Sequence, residues 1–261
     1  MDSDRMLIMA NWKMHLNTHE SSTLVHRLHG HIKVHRTVEV VLAPSLLTLQ
    51  PISLEIDRHK FRLATQNAYQ KDDGPYTGEV SFTMLRELVH YAIIGHSERR
   101  IYFNETLEDV RDKVQAAVRN GIAPVLCVGE TNKERAAGET RRVVHDQVVT
   151  ALANLTSEDM ADVVIAYEPV WAISTFGGGV ADPADIKKMF DFIRTDIKAL
   201  FGERVADDLR ILYGGSVNAE NAAVYLSIEG CNGALVGAAS IKYHEFSSII
   251  ETAYRLQQAR V

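Results

Sequence analysis

The chain of 261 residues contains only two cysteines, Cys127 and Cys231. Two cysteines build neither a disulfide framework nor a four-cysteine metal site, which points to a reducing compartment, the cytoplasm. An excess of basic charge is also missing. The formal net charge of -6 speaks against nucleic acid as a general partner, because a polyanion needs a broad basic face. A small anionic ligand needs only a local positive site and stays open. No apolar run approaches the length of a membrane span, so no membrane partner is expected. No apolar core of a leader peptide follows Met1–Arg5. Linkers and low-complexity stretches are absent too, which predicts one domain over residues 1–261. The composition, 46% hydrophobic and 24% charged, suits one large globular unit.

What is present is a repeating unit. Short apolar runs occur at Met6–Ala10, Val38–Ala43, Phe61–Thr65, Tyr91–Gly95, Ile122–Val128, Val163–Ala166, Leu209–Tyr213 and Ala234–Gly237. A helical pattern follows each. Thr18 caps a helix that Gly30 ends, and Pro51 interrupts the next, which Ser45 opens. Ser81–Leu88 is short. Thr106–Arg119 is amphipathic and closed by Gly121, and Asn132–Leu155 reads as one helix. Asp182-Pro183 places a cap and then a first-turn proline before a helix to Phe201. Asn218 caps a short helix, and Phe246–Gln257 is the last. Strand-then-helix units roughly thirty residues apart predict an α/β fold, a closed (β/α)8 barrel of eight parallel strands surrounded by helices. An open doubly wound sheet is the alternative, but its G-x-G-x-x-G fingerprint is missing between the first strand and its helix.

In such a barrel the C-terminal ends of all strands open on one face, where the active site lies. Glu168 ends the sixth strand and precedes Pro169, which holds it extended at the rim. Trp171 and Ile173 follow in a segment ending in Gly177-Gly178-Gly179, the pattern of a base under a lid. Lys13 is a cation after the first strand, two residues beyond Asn11. His96 opens a helical turn after the fourth, where the field of the turn favours neutral imidazole. Glu98 and Arg99 beside it read as charged groups with a supporting or interface role rather than as a plain ion pair. Cys127 reads as a core residue. Gly214-Gly215-Ser216 and Leu235-Val236-Gly237-Ala238 let backbone N–H groups approach an anion, as barrels do for phosphate after their last two strands. Six histidines fall between His15 and His35, but without cysteine or acidic companions at ligand spacing they predict no metal.

These segments resemble the triosephosphate isomerase family over nearly the whole chain. The matching stretches are Asn11-Trp12-Lys13-Met14, the Ile94-Gly95-His96-Ser97-Glu98-Arg99-Arg100 segment, Cys127-Val128-Gly129-Glu130, Tyr167-Glu168-Pro169-Val170-Trp171-Ala172-Ile173 and Tyr213-Gly214-Gly215-Ser216-Val217. The resemblance implies a cofactor-free aldose-ketose isomerase that interconverts dihydroxyacetone phosphate and D-glyceraldehyde 3-phosphate, a step of glycolysis and gluconeogenesis. It makes Glu168 the base and His96 the neutral electrophile, a pairing already known for this family. Lys13 and Asn11 would stabilise the enediolate, with Glu98 orienting Lys13. Backbone N–H groups of Ser174, Ser216, Gly237 and Ala238 would hold the phosphate. Ile173 and Leu235 would press apolar surface on Glu168 as the lid shuts, with Trp171 and Tyr213 supporting the lid. The family is dimeric, which implies a homodimer contact through Thr77, in the long loop 66–79, and Arg99.

The lid departs from the family pattern. After Ile173 the family reads G-T-G-K and a short hinge, whereas this chain reads Ser174-Thr175-Phe176-Gly177-Gly178-Gly179-Val180-Ala181-Asp182 and is slightly longer. Ser174 is more restricted than glycine, Phe176 adds bulk, and three glycines raise the entropy lost on closing. A leaky lid that sheds phosphate from the intermediate is the expectation. Ala238 also stands where the family has a second glycine, which requires a negative φ. The altered lid leaves two other readings: a phosphosugar isomerase for a longer, four-carbon substrate, and a non-catalytic barrel that binds sugar phosphates.

Overall fold

The structure, a computed structural model, describes residues 5–33 and 36–259. His35 therefore lies outside the described residues, as do residues 1–4 of the N-terminal stretch. The first half of the chain runs β1 (Met6–Asn11), α1 (Thr18–His31), β2 (Val38–Ala43), α2 (Leu46–Glu55), β3 (Arg62–Thr65), α3 (Phe82–Leu85), β4 (Tyr91–Ile94), α4 (Ser97–Tyr102) and α5 (Leu107–Arg119). The second half runs β5 (Ala123–Val128), α6 (Asn132–Ala136), α7 (Thr140–Leu152), β6 (Val164–Tyr167), α8 (Pro183–Phe201), α9 (Glu203–Asp208), β7 (Arg210–Tyr213), α10 (Ala222–Leu226), β8 (Gly233–Val236) and α11 (Tyr243–Gln258). The strands pair in parallel in chain order, and β8 returns to β1, so the sheet is a closed (β/α)8 barrel as the repeat predicts.

Alternation along the strands divides the core in two. Leu7 and Met9 of β1 belong to an inner cluster with Val41, Ile93, Val125, Val164 and Leu212. Met6, Ile8 and Ala10 face outward into a larger layer shared with the helices, where Leu28, Val114, Val144, Phe190 and Phe246 are buried. Both faces of every strand are covered, which is why the strands read as unbroken apolar runs.

Several local expectations need correction. Asn17, not Thr18, caps α1, in a reciprocal box with Glu20, and Gly30 lies inside the helix. Pro51 lies within α2 instead of breaking it. The carbonyl it leaves without an intrahelical donor belongs to Leu47, which is exposed to solvent. The segment 132–155 is two helices, because Gly138 adopts φ 73° between α6 and α7. Asn221 precedes α10, while the Asn218 side chain accepts the N–H groups of Glu220 and Asn221. α9 is not among the helices that the sequence pattern predicts. Among the described residues no helix is long and apolar enough to cross a membrane.

Candidate active site

A cavity of about 280 Å³ opens at the C-terminal ends of the strands. Asn11, Lys13, His96, Glu168, Ile173, Ser216, Leu235, Gly237 and Ala238 line it. Each comes from a strand end or the turn after it, so closure of the barrel brings together residues from five different strand ends.

β1 delivers Asn11 and Lys13. Lys13 has φ 52°, a left-handed backbone costly for a side chain. Its N–H donates to Asn11 Oδ1 at 3.1 Å, and its carbonyl accepts from Gln66 Nε2 at 2.9 Å. Gln66 also bonds the Ala43 carbonyl at the end of β2, at 2.8 Å. The strained turn aims the ammonium inward, where Nζ donates to Glu98 Oε1 at 2.5 Å. The Lys13 stem also packs on Gly237, where an added Cβ would lie 3.8 Å from Nζ. The ammonium thus sits between the α4 carboxylate and the small-residue turn after β8. Burial works against ionisation of Glu98, yet the bond from Lys13, the electrostatic influence of His96 and Lys13, and a bond from Thr175 together outweigh it and hold its carboxyl below the usual range.

His96 caps α4, and its Nδ1 accepts the Glu98 N–H at 3.2 Å. That bond leaves the ring proton on Nε2, which lies 3.2 Å from Glu168 Oε1. Glu168 is buried, 1% exposed. Its Oε2 accepts the Ser97 N–H at 3.1 Å. Two glycines make room for it. A Cβ on Gly129 would fall 1.8 Å from the Glu168 carbonyl oxygen, and one on Gly214 would fall 2.7 Å from its Cγ. Only glycine fits against a backbone that close.

Two neighbours of the base were not assigned from sequence. Cys127, read as core, is buried in the inner cluster on the strand beside β6: burial, then the Glu168 charge, pushes its thiol well above the usual range. Arg100 donates to the carbonyls of Gly95, Cys127 (2.8 Å) and Gly129 (3.2 Å), tying the ends of β4 and β5 beneath His96 and Glu168. Neither role has a local signature, since both partners are remote in sequence. Arg99 turns away from the cavity to Glu105 at 2.7 Å and lies over the Phe103 ring.

The lid base is anchored by polar groups. Trp171 Nε1 donates to Glu130 Oε1 at 2.9 Å, and Tyr167 donates to Oε2 at 3.1 Å. Burial raises the pKa of Glu130. Tyr213 is buried and stacked on Tyr225, whose hydroxyl donates to the Ala181 carbonyl at 3.2 Å, at the far end of the lid. The Ser216 N–H (3.3 Å) and hydroxyl (2.8 Å) both donate to the Ala172 carbonyl. The tip rests on α4: the Phe176 ring stacks on Tyr102 with centroids 5.7 Å apart, and Thr175 donates to Glu98 Oε1 at 3.2 Å. Gly237 has φ -86°, and Ala238, which begins a short 3-10 turn, is not among the positive-φ residues. Alanine is therefore unstrained there. Thr77 is exposed in the loop after β3, away from the cavity lining. Two of the six histidines between His15 and His35 take separate partners: His26 bonds the Ser22 carbonyl and His31 faces Glu251.

A buried carboxylate, an imidazole and a lysine around one cavity at the C-terminal face of a (β/α)8 barrel define a proton-transferring barrel enzyme. The family model described as triosephosphate isomerase matches residues 6–253. The triosephosphate isomerase of Chloroherpeton thalassium is 44% identical over 253 residues, covering 95% of this chain and 99% of that one. That of Carboxydothermus hydrogenoformans is 42% identical over 245 residues, covering 94% and 97%. That of Streptococcus suis is 39% identical over 249 residues, covering 95% and 99%. The chain belongs to the triosephosphate isomerase family.

Proposed function

We propose that Glu168, His96, Lys13 and Asn11 carry the chemistry by which this isomerase interconverts dihydroxyacetone phosphate and D-glyceraldehyde 3-phosphate. The observation that carries the assignment is their convergence on one cavity from the ends of β1, β4 and β6. Glu168 takes the proton from C1 of the ketose, and the electron pair moves through the new C1–C2 double bond onto the carbonyl oxygen. A carbon acid is weak, so that developing oxyanion must be stabilised as the proton leaves. The His96 Nε2–H and the Lys13 ammonium face the position it takes, and the Asn11 amide holds the turn that aims Lys13. Glu168 then returns its proton to C2 while His96 moves a proton between the two oxygens.

Phosphate is held by the backbone N–H groups of Ser174, Ser216, Gly237 and Ala238. The Ser216 N–H is engaged by the Ala172 carbonyl in this state of the lid. A phosphate that takes this donor releases the lid base, so phosphate binding and lid movement are coupled. Ile173 and Leu235, both buried on the cavity wall, then exclude water from Glu168. A coupled assay with D-glyceraldehyde 3-phosphate tests the reading. Fast turnover is expected, and turnover of a four-carbon phosphate in preference to the triose overturns the substrate assignment.

The lid carries two predictions. The Phe176–Tyr102 stack holds the lid in the state that engages the Ser216 N–H, and such pairs contribute about 0.5–1.5 kcal/mol. Phe176→Ala therefore lowers KM by about two- to tenfold in steady-state kinetics. An unchanged KM refutes the stack as a restraint. The glycine run at 177–179 must be ordered on closing. Methylglyoxal, the product of phosphate loss from the enediolate, is expected to form faster per turnover than in a relative with a standard lid. Equal partition measured colorimetrically on the two enzymes contradicts this.

The functional unit is a homodimer of one-domain subunits. Met14, Leu47, Tyr102 and Phe103 are exposed apolar side chains of the turns and helix ends that follow β1, β2 and β4. Thr77 at the tip of loop 66–79 and Arg99 on α4 border the same end. Light scattering at micromolar concentration is expected to give twice the chain mass, and Thr77→Arg to give the single-chain mass. A native monomer rules the dimer out.

A further inference from the structure

The opposite end of the barrel holds a second cavity, of about 200 Å³. It is built from the loops that lead into β1, β2 and β3, with Val38, Val40 and Phe61 as its apolar floor. Five cations border it: Arg5 before β1, Lys33 after α1, Arg58 and Lys60 in the loop after α2, and Arg62 at the start of β3. In a chain of net charge -6 this is a concentrated reversal of sign.

The carboxylate within the cluster is already committed. Glu39 is buried and shared between Arg62 (3.0 Å), Arg210 (3.2 Å) and the Tyr91 hydroxyl (2.9 Å). Asp57, just outside the cavity, accepts the His59 N–H at 2.9 Å. Lys60 donates to the His29 carbonyl and Arg5, through one terminal nitrogen, to the Val38 carbonyl, neither of which neutralises charge. The Arg5 Nε is buried without a partner. No ion pair of Arg58 or Lys33 is present among the described residues, although both are exposed. The excess positive field is felt nearby: the His90 pKa is lowered by burial and then by Arg62 and Arg58.

We propose that this cavity is an anion site for a di- or polyphosphate group, either free or carried by a small molecule. Several converging cations and a buried donor suit an oxyanion with more than one charge. The site is separate from the isomerase cavity, since the loops that build it lie at the other ends of the strands. It does not rest on the catalytic assignments above.

Calorimetric titration tests it. The isomerase cavity is first saturated with 2-phosphoglycolate, whose own binding is measured, and inorganic pyrophosphate and ATP are then titrated in parallel. One saturable site per chain is expected, and tighter binding of ATP identifies a carrier that adds contacts. Arg58→Glu and Lys33→Glu, both exposed changes, are expected to weaken binding by at least about tenfold at matched ionic strength. Arg58→Lys retains most of the affinity, and kcat/KM stays at the native value in all three variants. No saturable binding to the native chain overturns the proposal. So does native affinity in the two charge-reversal variants.

Discussion

Glu168→Gln is expected to fold as the native chain does and to lose about three orders of magnitude in kcat, within the range of about 10²–10⁴ typical of general base catalysis. Glutamine keeps the volume that fits between Gly129 and Gly214, so packing is unchanged. What changes is the ability to hold a proton. The native carboxylate accepts from the Ser97 N–H with one oxygen and faces the His96 Nε2–H with the other. The amide presents one oxygen and one NH2 group, so it satisfies only one of these two donors. A stability loss of about 1 kcal/mol follows. KM should move little, because the phosphate contacts lie elsewhere. Glu168→Asp retains the charge but withdraws it by one methylene. A misplacement of about 1 Å is worth about a hundredfold, so this variant should fall between native and glutamine. Rapid-mixing and steady-state assays on the three proteins check the order.

Lys13→Ala is expected to lower kcat/KM by about two to three orders of magnitude, the loss typical of one donor aimed at a developing oxyanion. The loss divides between the two constants. The ammonium attracts the substrate dianion, so KM rises, and it stabilises the enediolate, so kcat falls. Glu98 would keep its Thr175 contact but lose its 2.5 Å partner, leaving a half-buried carboxylate less compensated. Lys13→Gly separates chemistry from backbone. Residue 13 has φ 52°, which costs a non-glycine residue about 1–2 kcal/mol. The glycine variant should therefore be as inactive as the alanine variant but melt at a higher temperature. Native-like kcat/KM in either protein contradicts the role given to Lys13.

Strain at Lys13 explains part of what the sequence does and does not reveal. Strand ends, the proline after Glu168 and the glycines after β7 are local signals, so the barrel and its loop-borne cavity residues could be read directly. The repeat unit made the convergence of Asn11, His96 and Glu168 a matter of topology. The positive φ of Lys13 was not legible, because the bond that supports it comes from Gln66, remote in sequence at the end of β3. Arg100 has no local signal for its role, since it ties three carbonyls at the strand ends. Cys127 is core, as read, but only the strand order, which puts β5 beside β6, shows that the Glu168 charge reaches its thiol. Pro51 was overweighted, since a helix tolerates the lost donor where the freed carbonyl faces solvent. The sequence marked the lid as unusual, but its docking on α4 through Phe176 and Tyr102 is a tertiary match with no pattern along the chain.

The central claim is that Glu168 moves a carbon-bound proton inside the cavity. Dihydroxyacetone phosphate incubated with the native protein in deuterated water, followed by proton nuclear magnetic resonance, tests it most directly. The account predicts aldose formation with solvent deuterium entering at one hydrogen of the ketose C1 and at C2 of the aldose. It also predicts that both signals vanish on the same timescale in Glu168→Gln. Deuterium incorporation at the native rate in that variant would contradict the assignment of the base.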